Sequence, residues 1–284
     1  MKNKKATKST LKFDPNFNQF FLNQNVELNI FDTSYPTQVT SWNQNTINLP
    51  EGNAHYGFVF SGTAILTTSF GVFELKTGMY FSISENFKIS NGSGVIFSRI
   101  NFQCNFSIGS SRDEKGQLEY IDGATASVLI HPEIKGYPIL NSLYLPQQTY
   151  QTMHIHPDIR VGLVFKGSGY CYTPDALGRI GSEFEVCHNL QPGAFFYIPT
   201  DGKHRFVTTD NSLVIIPWHA HSDSGVDDDS HYMLDRSIAK IGVSGNESWL
   251  GENIVIGKQL RNLDKSSQIS LGNACVISSD QAWN

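Results

Sequence analysis

Residues 160–167, Arg160-Val-Gly-Leu-Val-Phe-Lys-Gly167, repeat the pattern of residues 55–62, His55-Tyr-Gly-Phe-Val-Phe-Ser-Gly62. In each, an apolar strand-like run ends on a glycine suited to turning the chain. Further on, Gly78-Met-Tyr-Phe-Ser-Ile-Ser84 matches Gly193-Ala-Phe-Phe-Tyr-Ile-Pro199. The spacing between copies grows by about ten residues from the first pair to the second, as an insertion around Thr173–His188 would produce, and the loop-like PDALGRIGSE lies there. Two tandem copies of one β-unit account for this.

Other runs agree: GFVFSGTAIL, MYFSIS, GVIFSRINF, AFFYIP, RFVTT and SLVIIPWHA are rich in β-branched and aromatic residues and are punctuated by Gly, Pro, Asn and Ser. No window carries a capped helical stripe. The expected class is all-β, a barrel or sandwich. Expected boundaries are an N-terminal extension over 1–20, one unit over 21–126, a second over 127–224, and a tail over 225–284 packing on the barrels. The tail holds an acidic run, DSGVDDDS, that reads as a solvated loop.

Composition narrows the function. The 284 residues are 39% hydrophobic and 17% charged, with 19 Phe and 11 Tyr, the profile of a folded chain. A net charge of −5 argues against a nucleic-acid partner. No apolar run approaches the roughly 18 residues that span a bilayer, so no membrane partner is expected. The basic start MKNKKATKST runs into LKFDPNFNQ and not into an apolar core, unlike a secretory signal. Cys104, Cys171, Cys187 and Cys275 lie far apart and suit reduced thiols, so a cytoplasmic location is expected.

The chemistry concentrates in the second unit. His154 and His156 end the run TYQTMHIH, which reads as a strand, so both side chains leave one face about 6.5–7 Å apart. That suits two imidazoles meeting at one metal ion. Gly167 follows eleven residues after His156, and then comes Gly193-Ala-Phe-Phe-Tyr-Ile-Pro199-Thr-Asp-Gly-Lys-His204.

This arrangement resembles the cupin superfamily, whose motifs read G-x5-H-x-H-x3,4-E-x6-G and G-x5-P-x-G-x2-H-x3-N. His154, His156 and Gly167 fill the first, and Gly193, Pro199 and His204 the second, over residues 137–222; the repeat extends the likeness to 45–105, as a bicupin. The resemblance implies tandem jelly-roll barrels, a divalent metal on His154, His156 and His204, and a homodimer. Fe(II) is the expected metal, with Zn, Mn and Ni as alternatives.

The chain also departs from the pattern. The glutamate position holds Arg160 or, with the longer spacing, Val161; Asp158, Glu183, Glu185 and His188 are candidate substitutes as fourth ligand. The leading glycine of the first motif is absent, the glycine after Pro199 in the second is displaced to Asp201 or Gly202, and Thr208 replaces the asparagine. In the first unit His55 falls at the glutamate position, with Leu49 and Glu51 in place of the histidines, so this half is expected to be metal-free.

A second pair, His219 and His221, falls on one face by alternation, with His231 beyond it. These are a further metal site, acid–base groups, or a polar strand end, and the last fits best. Phe196 and Ile198 share one strand face, and Phe195 and Tyr197 the other. Trp218, Tyr170, Tyr172, Phe195 and Tyr197 suit a barrel core or dimer surface better than a pocket.

Cupins that keep three histidines without the glutamate resemble non-haem Fe(II) oxygenases. Such a metal favours an anionic small-molecule substrate, with Arg160 or Arg205 as carboxylate partner. Alternatives are a metal-dependent isomerase, epimerase, cyclase or dehydratase using Tyr197, His188 or His219 as base, or a cupin that binds a small molecule without turnover. Arg160, Tyr197 and His219 are the candidate catalytic side chains.

Overall fold

The structure is a computed structural model. It describes residues 13–23, 25–111 and 115–225, and the backbone of four later strands. The fold is nearly all β. The first barrel pairs a six-stranded sheet with a four-stranded one. The larger runs in the order Ser107–Ser110, Met79–Ile83, Ala54–Ser61, Ser93–Arg99, Thr37–Asn43, Glu27–Ile30. The smaller runs Ile47–Leu49, Phe87–Ser90, Thr63–Thr68, Gly71–Lys76.

The second barrel repeats the scheme. Its large sheet runs Asn18–Phe21, Ala194–Ile198, Arg160–Gly167, Leu213–His219, Ile139–Leu145, Thr125–Ile130, Leu118–Glu119. Its small sheet is Val186–Leu190, Gly169–Thr173, Arg205–Val207.

The burial pattern follows from which faces are covered. Strands of the large sheets are buried along most of their length, as in Ala54–Ser61 and Arg160–Gly167, whereas Thr63–Thr68 and Gly169–Thr173 alternate. A strand covered on both faces reads as a continuous apolar run; one covered on a single face alternates. On Arg160–Gly167, Val164 joins Leu143, Leu145, Phe196, Ile198, Phe206 and Ile215 inside the second barrel. Its neighbours Val161 and Leu163 turn the other way, onto a core shared with Val39, Tyr56, Phe58 and Phe97 of the first barrel. Trp42, Leu66, Leu75, Phe81, Ile89 and Ile96 fill the first barrel. Each such side chain, fully buried, contributes about 1.5–3 kcal/mol of transfer free energy.

The glycine ending each repeat turns the chain. Gly167 has φ 74°, and a Cβ there would lie 1.8 Å from the Ser212 carbonyl oxygen, so no larger residue fits. Gly62 adopts φ 76° in the first copy.

Strand pairing moves the expected boundaries. Asn18–Phe21 is no loose extension: it pairs with Ala194–Ile198, Asn18 opposite Tyr197 and Phe21 opposite Ala194. Phe17 is buried in the second barrel, its ring 5.2 Å from that of Phe196. The second barrel's large sheet also begins before residue 127, because Leu118–Glu119 and Thr125–Ile130 pair into it and Ala124 is buried in its core. The barrels share one compact unit ending at Ser224.

From Gly225 a separate unit follows, in which Lys240–Val243 pairs with Asn246–Trp249, and Gln268–Leu271 with Cys275–Ser278. Most of the acidic run and His231 lie outside the described residues. Among the described residues no helix is long and apolar enough to cross a membrane.

Phe17→Ala should cost about 3–5 kcal/mol in denaturant unfolding, because it empties the second barrel's core. A loss within error of zero would show that the amino-terminal strand is not part of that barrel.

Candidate metal centre

His154 and His204 face each other across an isolated antiparallel bridge, each amide donating to the other's carbonyl at 3.0 and 3.1 Å. The run from Thr149 to His156, expected as a strand, is instead an extended segment touching its neighbour at two bridges, Tyr150 with Val207 and His154 with His204. Side chains interrupt the ladder. The Phe206 amide donates to Gln151 Oε1 at 3.2 Å in place of a backbone carbonyl, and the Thr152 amide turns to the Asp122 carboxylate at 2.7 Å. His154 and His156 still project to the same place.

Both ends of this segment carry the turns that the motif assigns to glycine, without the glycine. Gln148 has φ 59° and Asp201 has φ 59°, whereas Gly202 takes no left-handed φ. The Asp201 amide donates to the His156 carbonyl at 2.9 Å, and Gly202 to Pro199 at 2.9 Å, which sets where His204 starts its strand. Thr208, in the asparagine position, donates to the Pro146 carbonyl and accepts from the Thr149 amide at 2.9 Å.

The three imidazoles converge. Ring centroids are 4.4 Å apart for His154 and His204, 5.1 Å for His154 and His156, and 5.2 Å for His156 and His204. One ligand nitrogen from each falls within 4.8 Å of the others. The Nδ1 of His154 lies 2.8 Å from the Thr152 carbonyl, and that of His204 lies 2.9 Å from the Gly202 carbonyl. A carbonyl only accepts, so each Nδ1 carries the proton and each Nε2 keeps its lone pair, the arrangement a metal-ligating histidine needs.

Burial, then the charge of Arg160 and the neighbouring rings, pushes the His156 pKa down to about 3. Burial outweighs the bond to Gly202 and lowers His204 to about 4. Both are neutral near pH 7, as ligation requires. The donor set fits a divalent first-row ion.

Arg160 points into the same cavity, which has a volume of about 70 Å³ and is lined also by Tyr120, Asn141, Gln151, Phe196 and His219. It is 7% exposed and forms an ion pair with Asp158, itself 2% exposed. Burial lowers the Arg160 pKa to about 10, which leaves it charged at neutral pH. Asp158 thus offsets a cation that would otherwise oppose a metal nearby. His219 stands opposite Arg160 in the sheet, and burial, with Arg160 and His156 nearby, holds its pKa well below the usual range.

The other expected site residues lie elsewhere. Tyr197 faces the inter-barrel core, edge-on to Phe13 at 5.5 Å, and does not line the cavity; alternation sends Phe196 and Ile198 inward and Tyr197 outward. The strand ends at His219, and His221 does not line the cavity. Its Nδ1 lies 3.9 Å from Asp158 and its ring 5.3 Å from that of Tyr35. Asp158 is held by Arg160 and Glu185 by Arg205 at 2.7 Å, Glu183 is exposed, and His188 packs on Phe17 at 4.8 Å. None joins the histidine group among the described residues. In the first barrel, His55 Nε2 donates to Pro50 O at 3.0 Å and Nδ1 accepts from Ser98 at 2.8 Å, so both ring nitrogens are satisfied.

Tyr120, Asn141 and Gln151 line the cavity without any motif to mark them. Asn141 alone carried a signal, as a polar residue within the apolar strand Ile139–Leu145.

No family model matches the chain, and no curated protein matches its sequence. Solved structures do match its fold. The Cupin 2 conserved barrel domain protein of Leptotrichia buccalis superposes with a TM-score of 0.52 at 13% identity, covering 72% of this chain and 96% of its own. The putative glyoxylate-induced protein of Pseudomonas aeruginosa gives 0.56 at 9% identity, covering 79% and 95%. A salicylate 1,2-dioxygenase of Pseudaminobacter salicylatoxidans gives 0.52 at 8% identity, covering 77% and 88%. The chain has the tandem cupin fold, with a three-histidine group in its second barrel.

Two outcomes test this site. Asp158→Asn should destabilise the protein by about 3–5 kcal/mol in denaturant unfolding, because it leaves the Arg160 charge buried and uncompensated; an unchanged midpoint would mean that Arg160 is solvated. Gln148→Gly and Asp201→Gly should each raise stability by up to about 1 kcal/mol, because they relieve a left-handed backbone. A loss in both would show that these side chains hold the turns.

Proposed function

We propose that the protein is a metal-dependent enzyme, a non-haem Fe(II) oxygenase acting on a small carboxylate-bearing molecule. One observation carries this reading: three imidazoles converge, His154 and His204 with their Nε2 lone pairs left free, beside an inward-facing arginine. Held by His154, His156 and His204, a ferrous ion would supply a Lewis-acid centre and one-electron chemistry toward oxygen. Three neutral ligands leave its charge at +2, which favours an anionic substrate. Arg160 orients that carboxylate: one face of its guanidinium is tied to Asp158, while its Nε has no hydrogen-bond partner. The apolar walls, Phe196, Phe206, Ile215 and Leu143, exclude bulk water. A dioxygenase among the structural neighbours supports the reading, and the free thiols Cys104, Cys171 and Cys187 suit the cytoplasm.

His219 favours a second reading. Neutral and facing the cavity across from Arg160, it can accept a proton from a metal-bound substrate, as an isomerase or dehydratase requires.

Anaerobic loading with Fe(II), then oxygen-electrode traces with a panel of small carboxylic acids, separates these. We expect about one iron per chain and oxygen uptake that needs an acid. His156→Ala should lose both. Stoichiometric iron retained in that variant overturns the ligand set, and acid conversion without oxygen uptake replaces the oxygenase with the isomerase class.

A further inference from the structure

The cavity is layered, and the layers follow from the strand register. Arg160 stands opposite both Ile198 and His219, and this row lies at the level of the ionisable groups. Two residues along, Gly162 stands opposite Phe196 and Pro217. Because Ile139 pairs with His219 and Leu140 with Trp218, Asn141 falls beside Pro217 in this second row. Two residues along a strand is about 6.5–7 Å, so the second row is that much deeper.

The facing wall keeps the same step. Phe206 lies two residues past His204 on its strand, and the Gln151 amide donates to the Phe206 carbonyl at 3.1 Å, placing Gln151 one step below the histidines.

This second row holds two orphaned polar atoms. Gln151 is 1% exposed and its Nε2 has no hydrogen-bond partner. Its orientation is set, because Oε1 is the acceptor for the Phe206 amide and only the NH₂ is left over. Asn141 Oδ1 is likewise buried without a partner. Both residues line the cavity. A buried donor and acceptor left unsatisfied are each costly, and such atoms are matched by a ligand or by water. Around them stand Phe196, Phe206, Pro217, Leu143 and Ile215, none of them ionisable, so a charged group would meet no counter-charge.

We infer that Gln151 and Asn141 form an uncharged specificity subsite that takes a hydroxyl at the far end of the substrate, donating to its oxygen from Gln151 Nε2 and accepting its proton at Asn141 Oδ1. The inference rests on the reading that the substrate's carboxylate is held at the histidines and Arg160. The substrate class is then a short hydroxy acid with its hydroxyl a few bonds from the carboxylate. Gln151 and Asn141 select the substrate and take no part in bond making.

The test is calorimetric binding to the metal-loaded protein of 4-hydroxybutanoate and of pentanoate, its near-isostere with a methyl in place of the hydroxyl. Wild type should bind the hydroxy acid about tenfold or more tightly than pentanoate. Gln151→Met, close in volume, removes the donor, and should abolish that preference with metal content unchanged. Asn141→Leu should abolish it independently. Equal binding of the two acids by wild type overturns the subsite while leaving the carboxylate anchor intact, since water then satisfies the amides. Failure of both acids to bind overturns the anchor, and the subsite with it.

Discussion

The site depends on one small piece of backbone, the reciprocal pair of hydrogen bonds between His154 and His204. These residues are fifty positions apart in sequence and belong to segments that otherwise barely form a ladder. The bridge brings their α-carbons into register, and carbonyls two residues upstream fix each ring through Nδ1. His156 follows from alternation on the same extended segment. Preorganisation of this kind gathers three imidazole nitrogens at one place in the cavity.

Electrostatics explain why an arginine is tolerated where a glutamate ligand is usual in the motif. Alternation points Arg160 into the barrel, and Asp158, two residues earlier, turns its carboxylate onto it. The pair is neutral overall, so it would neither offset nor add to the charge of an ion held by the histidines. The depressed pKa values of His156, His204 and His219 come first from burial and then from the neighbouring Arg160 charge and rings. Stability and chemistry are therefore coupled here: the residue that offsets Arg160 also shapes what the cavity attracts.

Much of this was legible in the residues. The repeat from His55 to Gly62 and from Arg160 to Gly167 marks the doubled barrel because a glycine at φ 74° is needed where the strand turns against Ser212. The histidine spacing marks the metal centre because strand alternation is local. What stayed hidden is non-local. Asn18–Phe21 is a short strand whose partner lies near the other end of the barrels, and nothing in four residues announces that. Alternation separates Phe196 from Tyr197 but does not say which of them faces inward; both faces are apolar because both are covered, one by the barrel's own core and one by its twin. Gln148 and Asp201 hide two turns, since the backbone conformation persists after the glycine is gone. Gln151 and Asn141 have meaning only through the register that sets them at one depth on facing walls of the cavity.

X-ray absorption at the iron edge of the Fe(II)-loaded protein tests the central claim most directly. Three imidazoles in the first coordination sphere, with the remaining scatterers oxygen, is the predicted result. A sphere made of oxygen alone, or holding a single imidazole, would contradict the account and leave the tandem barrels without the chemistry assigned to them.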